Sequence, residues 1–327
     1  MLKLPHRRQF LHLAASAAAL PAVPHVARAQ AYPTRPVRVI VGFPPGGVSD
    51  LYARLIAQWL SERLGQQFIV ENRTGAGGSL ATESVVRAVP DGYTLLLTGN
   101  NDAFNTALYD NLKFDYLRDI VPVASIAMAM EVLVVNPSFP AKSLVEFMAY
   151  AKSNPGKVSV GSGGIGSGSH VAWLLFNMLS GVETLHVPYR GEGPALTDLL
   201  GGQLQAVFPF ISPSLEFIRS GRLRPLAVTG ARRAEILPDV PTLSEFIPDY
   251  ESIGWLGIGA PVNTPPDVIE FLNKTINVGL ADPRLKQRIS ELGDAVFASS
   301  PGQLNRFIPE FTDKWGKVMR AANVKAQ

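Results

Sequence analysis

Apolar residues fall along this chain in two alternating rhythms: short continuous runs, and stretches that return every three or four positions. The run at 37–41 reads as a buried strand. Leu51, Leu55 and Trp59 put one apolar face on a helix over 50–64, which Gly65 closes. A strand at 67–71, a helix at 79–88 ending at Pro90-Asp91-Gly92, and a strand at 93–98 complete a βαβαβ order. That order predicts a parallel sheet with helices on both faces. The apolar run at 123–136 is longer than one strand needs, and predicts either two strands or one that passes from one sheet to another. The alternation then restarts, with helices at 143–153, 170–179, 195–200 and 214–220 and strands at 157–160, 184–187, 205–210 and 223–229. Proline-rich 237–248 reads as an irregular connection and 252–260 as a strand. The remainder is helical at 266–280, 283–292 and 301–321, around a short strand at 295–298.

The restarts predict two lobes joined by two crossings, near 127–132 and near 250–257. Residues 30–128 with 252–327 form the first lobe and 129–251 the second, because mainly helical leftovers need a sheet to cover.

The first 29 residues stand apart. Lys3, Arg7 and Arg8 precede an apolar, alanine-rich stretch, and Ala27-Arg28-Ala29 supplies an A-x-A cleavage pattern. This predicts a secretory signal and an exported, periplasmic protein. Arg7-Arg8-Gln9-Phe10-Leu11 resembles a twin-arginine export motif, with an ordinary signal carrying adjacent arginines as the other reading. The segment holds four basic residues and no acid, so the formal charge of +3 becomes −1 without it. No basic excess remains to argue for nucleic acid or an anionic membrane surface. The chain has no cysteine, which excludes disulfides, thiol catalysis and thiolate metal sites. Beyond the signal its only histidines are His170 and His186, too few for a histidine-based metal site. No cofactor is expected.

Two glycine-rich turns carry the candidate chemistry. Gly42-Phe43-Pro44-Pro45-Gly46-Gly47-Val48-Ser49-Asp50 follows the first strand, and Gly161 to His170 follows the strand at 157–160. Structural βα turns run to about two to six residues, and these are longer. Extra length at the carboxyl ends of parallel strands is where α/β proteins hold ligands. Both turns end in residues able to cap the next helix, which predicts backbone N–H groups aimed at an anion. Ser49 and Asp50 are expected to cap, with Asp50 facing a ligand amine or hydroxyl as the alternative. Gly161-x-Gly163-x-x-Gly166 has dinucleotide-fingerprint spacing, yet the next strand lacks the partner acid, with Glu192 only afterwards. Ser162, Ser167 and Ser169 near His170 raise serine hydrolysis, but there is no Gly-x-Ser-x-Gly elbow. His170 reads as a capping or ligand-facing ring and His186 as a structural one.

At these residues the chain resembles the Bug/TctC-type periplasmic solute-binding proteins. The likeness runs through Arg38-Val39-Ile40-Val41-Gly42-Phe43-Pro44-Pro45-Gly46-Gly47, Glu71-Asn72-Arg73, Gly75-Ala76-Gly77-Gly78 and His186-Val187-Pro188-Tyr189-Arg190-Gly191. It continues through Thr197 to Gln203, Leu237-Pro238-Asp239-Val240-Pro241-Thr242 and Lys314-Trp315-Gly316-Lys317-Val318. The resemblance implies an α/β, two-lobed periplasmic-binding-protein fold of the venus-flytrap, type II-like kind, each lobe a mixed, mostly parallel sheet flanked by helices. It implies a monomer that captures a small organic carboxylate between the lobes by hinge closure, with the membrane subunits of a tripartite transporter as partner. An exported enzyme acting on a small carboxylic acid, or a sensory ligand-binding protein, is the alternative. Mapped residue by residue, the ligand loops are Phe43, Pro45, Gly46, Gly47, Ser49 and Asp50 on one side. On the other are Gly164, Ile165, Gly166, Ser167, Ser169 and His170, with Asn100, Asn101, Tyr189 and Phe210 as further cleft candidates. Many relatives carry Asp-Asn where this chain has Pro209-Phe210. An apolar ring there leans the ligand toward an aromatic or less polar monocarboxylate if Phe210 lines the cleft, and has no such meaning if it packs within its own lobe.

Overall fold

The computed structural model describes residues 32–109, 111–322 and 324. The predicted signal, with its Arg7-Arg8 motif, lies outside the described residues. Every helix and strand named below belongs to the compact unit that begins at Arg35.

In chain order the elements are β1 (Val37–Val41), α1 (Val48–Leu64), β2 (Phe68–Asn72), α2 (Ser79–Val86), β3 (Thr94–Gly99), α3 (Asn100–Leu108) and α4 (Tyr116–Asp119). Then come β4 (Ile120–Met130), β5 (Val132–Val135), α5 (Leu144–Ser153), β6 (Ser159–Ser162), α6 (Gly168–Ser180), β7 (Leu185–Pro188) and α7 (Glu192–Leu200). The chain closes with β8 (Ala206–Val207), α8 (Ile211–Arg219), β9 (Arg224–Val228), β10 (Ile253–Pro261), α9 (Pro266–Ala281), α10 (Pro283–Glu291), β11 (Ala295–Val296) and α11 (Pro301–Ala321).

Two mixed sheets result. One has the order β11-β4-β10-β3-β1-β2, the other β7-β6-β8-β5-β9. β1 pairs in parallel with β2 and β3, and β6 with β7 and β8. The antiparallel partners include the strands that carry the chain between sheets: the long β4 and β10 in the first, the short β5 in the second. The apolar run at 123–136 is thus two strands in two sheets, β4 and β5, separated by the single residue Glu131.

The crossings are braced to each other. Glu131 N–H donates to Thr229 Oγ1 at 2.9 Å, Thr229 N–H returns to Glu131 O at 3.0 Å, and Ser252 N–H donates to Thr229 O at 3.0 Å. Cores lie on both faces of the second sheet, one around Phe147, Phe176 and Phe208, the other around Val134, Leu199 and Ile211. A smaller cluster joins Phe104 and Leu108 of α3, Val171 of α6, and Trp315 and Met319 of α11.

Three expectations shift. No element is expected between the strand at 93–98 and the run at 123–136, but α3 starts at Asn100 directly after β3. Asp102, buried, accepts from Thr82 Oγ1 at 2.5 Å, Thr98 Oγ1 at 2.8 Å and Gly99 N–H at 3.2 Å. The strand expected at 205–210 keeps only Ala206–Val207 in the ladder. Pro209 has no N–H to give, and the helix expected at 214 begins at Ile211. The strand expected at 157–160 lies two residues later, at Ser159–Ser162.

β10 is glycine-rich because its neighbours approach closely. A Cβ on Gly257 would fall 2.6 Å from Ala124 O and 3.1 Å from Trp255 Cζ3. Gly257→Ala is therefore expected to cost about 1–3 kcal/mol, read as a lower urea midpoint. Gly302→Ala, in open space on α11, should leave stability equal or slightly raised. Equal midpoints for the two variants would contradict the close-approach account.

Candidate functional site

The connections leaving β1, β3, β6, β7 and β8 all enter helices, and they meet at the carboxyl ends of their strands. In the first loop, Gly46 has φ of +85°, which favours glycine. Helix α1 starts at Val48 with Gly47 as N-cap and no side-chain cap. The expected capping by Ser49 and Asp50 is thus corrected, since both sit inside the first turn. The Asp50 carboxylate instead folds back to accept Gly46 N–H at 3.0 Å, Arg54 Nε at 2.9 Å and Asn72 Nδ2 at 2.9 Å. Asn72 Nδ2 also donates to Phe43 O at 2.9 Å, which ties both ends of the loop to one carboxylate. Burial pushes Asp50 up, but the hydrogen bonds from Arg54, Asn72 and Gly46, with the Arg54 charge, hold its pKa below the ordinary value. Asp50 positions the loop, its oxygens taken up by these three partners. The first-turn N–H groups of α1 have no partner within the helix and no side-chain cap.

The second loop is internally satisfied. Ser167 caps α6 by accepting His170 N–H at 3.3 Å and donates to Gly164 O at 2.7 Å. Ser169 Oγ accepts Gly163 N–H at 2.9 Å, and His170 Nδ1 accepts Gly166 N–H at 3.2 Å. His170 stacks on His186 with centroids 4.3 Å apart, and Trp173 stacks on His186 at 4.7 Å. Burial, with His186 beside it, drives His170 down to about 3, and burial brings His186 to about 4. His186 Nε2 meets Ser162 Oγ at 2.6 Å, but Ser162 is fully buried and no carboxylate is hydrogen-bonded to either ring among the described residues. The pair braces the second lobe.

Between the loops lies a cavity with about 520 Å³ of space free of protein atoms, part of it open to solvent. Of the expected site residues it collects Phe43, Pro45, Gly47, Ser49, Asn101, Ser167 and Phe210. Asn100 lines a smaller adjoining cavity with Phe43, Ser49, Asn101 and Phe210. Gly164, Ile165 and Tyr189 line a wider one on the far side of Phe43. Gly46, Asp50, Gly166, Ser169 and His170 line none of these; their groups are spent inside the loops. Phe210 packs in the wall between lobes, close to Gly168 and Gly254.

Sequence reasoning missed the start of α7. Gly191, Glu192, Gly193 and Pro194 line the cavity, and Gly191 is an N-cap without a side-chain bond. A Cβ on Gly191 would fall 3.2 Å from Pro44 of the first loop. The signal is present as a third glycine-bearing βα turn, yet in sequence Glu192 reads only as a misplaced ribose acid.

Glu192 is the one charged side chain among the described residues lining this cavity. Burial raises its pKa to about 8, against a backbone hydrogen bond from Phe210 that lowers it. Glu131 is pushed well above its ordinary value by burial and by the Glu192 and Asp294 charges, and burial brings Asp294 to about 7. A carboxyl raised on folding is stabilising only while protonated, so stability falls as pH climbs from the unfolded value through the folded one. The two histidines change stability below their unfolded value near 6.5, where charging opposes burial. Ligand-free protein is therefore expected to lose melting temperature from pH 6.5 to 8, and Glu192→Gln to flatten that decline. A parallel decline in both proteins would refute the assignment.

The sequence profile of the tripartite tricarboxylate transporter family receptor matches residues 52–324. The chain is 36% identical over 300 residues to the protein BugT of Bordetella pertussis, covering 91% of this chain and 92% of BugT. A solved structure of R. palustris Rpa4515 with adipate superposes with a TM-score of 0.87 at 34% identity, covering 90% of this chain and 99% of that one. MatC of Rhodopseudomonas palustris with bound malate gives 0.82 at 33% identity, covering 88% and 99%. The two-sheet α/β architecture and these matches identify the chain as a member of the TctC/Bug family of tripartite tricarboxylate transporter receptors.

Proposed function

We propose that this is an exported solute-binding protein, not an enzyme, that captures a small organic carboxylate between its lobes and hands it to the membrane subunits of a tripartite transporter. In this reading residues 1–29 direct export to the periplasm. Residues 30–128 with 252–327 and residues 129–251 act as the two lobes of a monomer. The observation that carries the proposal is the uncapped start of the 17-residue α1 at Gly47, facing the start of α6 across a cavity with no basic side chain among its described lining residues. A carboxylate there meets first-turn N–H groups and the positive end of the helix dipole. Each charge-assisted bond contributes roughly 1.5–3 kcal/mol, so a few account for binding near 1 μM, about 8 kcal/mol. The adipate and malate held by the two solved relatives are of this chemical class.

Closure follows from the same contacts. A ligand touching both loops binds the closed arrangement better than the open one, and only that difference shifts the equilibrium. The braced crossings at Glu131, Thr229 and Ser252 are short enough to act as the hinge.

Two measurements test the proposal. A thermal-shift screen against di-, tri- and aromatic carboxylates is expected to raise the melting temperature with at least one; no shift from any acid would sink the proposal. Gly47 has φ of −79° and space around it, so Gly47→Val should fold yet fill the anion position. Its affinity for the acid found in the screen is expected to drop by at least tenfold, and unchanged affinity would remove α1 from the site.

A further inference from the structure

The two-lobe reading above, on which this inference rests, gives residues 252–327 to the first lobe; the end of α11 touches both. Early in that helix Leu304 and Ile308 are buried against the first sheet, with Ile40, Leu96 and Trp255. Phe311 then stacks on Phe104 of α3 with ring centroids 5.8 Å apart, and Trp315 meets the same ring edge-on at 6.0 Å. Past this anchor the helix reaches the second lobe. Trp315 and Met319, both buried, share a cluster with Val171 of α6, against which Leu175 of α6 and Ile165 of the second loop also pack. Ala322 and Val324 go further and pack on the second-lobe core around Phe147 and Phe176. Val324 N–H donates to Met319 O at 3.1 Å and Ala322 N–H to Val318 O at 3.0 Å, so the tail is folded back on the helix end.

The lobes stand closed on each other in this arrangement. A Cβ on Gly166 of the second loop would fall 2.4 Å from Leu108 Cδ1 and 3.3 Å from Asn105 Oδ1, both on α3. A Cβ on Gly191 would fall 3.2 Å from Pro44 of the first loop. The end of α11 lies along the seam between α3 and α6. Rotation about the crossings at Glu131 and Ser252 draws α6 away from α3, and a helix held by Phe311 and Trp315 cannot follow both. Met319, Ala322 and Val324 then have to come off the second lobe and expose apolar surface, which opposes opening. We infer that the last turn of α11 and the tail to Val324 form a third connection between the lobes, a strap that favours the closed cleft before any ligand arrives.

The strap differs in kind from the two crossings. Those are continuous strands tied by backbone hydrogen bonds, so they pivot and stay intact. The strap meets the second lobe through apolar side chains alone among the described contacts, so it can detach and reseat. A ligand that binds the closed cleft has its apparent affinity scaled by the fraction of molecules already closed. The strap therefore acts on affinity from a distance, because Met319, Ala322 and Val324 line none of the cleft cavities.

Interlobe distances measured by electron–electron double resonance test the inference. The chain has no cysteine, so Lys274→Cys on α9 and Lys152→Cys on α5, both exposed, place one spin label on each lobe. Without ligand, Ala322→Glu combined with Val324→Glu is expected to roughly double the share of long distances. Leu175→Ala, which cuts the same contact from the second lobe, should act in the same direction. Val89→Glu, at a position 70% exposed and away from the strap, should change nothing. The acid found in the thermal-shift screen should bind the double variant about threefold or more weakly, and saturation with it should restore the short distance. Ligand-free distances unchanged in both the double variant and Leu175→Ala overturn the inference and leave the proposed function standing. Longer distances with unchanged affinity overturn it too. If no acid binds, the carboxylate reading fails, while the ligand-free distances still decide for or against the strap.

Discussion

The chain has to leave one sheet and enter the other without breaking its hydrogen bonds, and it does so at a single residue, Glu131. The residue's N–H and C=O are both held by Thr229, whose own C=O takes Ser252 N–H, so outgoing and returning crossings are one hydrogen-bonded unit. That brace fixes where the two sheets meet, and with it the direction in which their parallel strands point. The carboxyl ends of β1 and β3 in one lobe face those of β6, β7 and β8 in the other. Every helix that follows these strands therefore begins at the cleft, and its unsatisfied first-turn N–H groups come with it. The anion affinity proposed for the cleft is thus a matter of topology before any side chain is chosen.

Side chains then decide which of these helix starts stay open. Ser167 closes α6 partly by taking His170 N–H, and Ser169 and His170 take the amides of Gly163 and Gly166. Asp50 works differently. It lies inside the first turn of α1 and reaches back to Gly46, so the loop is held while the helix start stays uncapped. One carboxylate below its ordinary pKa fixes the loop. Two others, Glu192 in the cavity lining and Glu131 fully buried, are raised above theirs, each with one oxygen unpaired.

Much of the architecture was legible because strands and helices have different apolar periods. The run Val37–Val41, the capping glycine Gly65 with φ of +67°, and the helix Pro301–Ala321 stand where the pattern put them. Legibility failed where polar residues serve helix starts inside the protein. Asn100 and Asp102 have the composition of a loop, yet they open α3, because Asp102 satisfies Gly99 and two threonines that only tertiary structure brings near. The cavity lining was legible at Phe43, Gly47, Ser49 and Asn101, whereas Gly46, Ser169 and His170 lie in the same loops but spend their groups within them. Loop membership follows from sequence, whereas the direction of each donor depends on which neighbour claims it. Glu192 escaped notice because its burial and its unpartnered Oε2 are properties of the folded cleft.

Recognition through helix starts has a consequence for selectivity. Backbone N–H groups do not distinguish one carboxylate from another, and two solved proteins similar to this chain hold ligands as different as adipate and malate. Discrimination has to come from what meets the rest of the ligand. In this chain that surface is a phenylalanine at 210 and a buried acid at 192. The acid's environment sets its state: burial keeps this carboxyl protonated to a higher pH than water would, despite the backbone hydrogen bond from Phe210. The burial that raises the Glu192 pKa lowers the stability of the empty cleft as pH climbs through that value, and any ligand that binds the closed arrangement better than the open one offsets this by mass action.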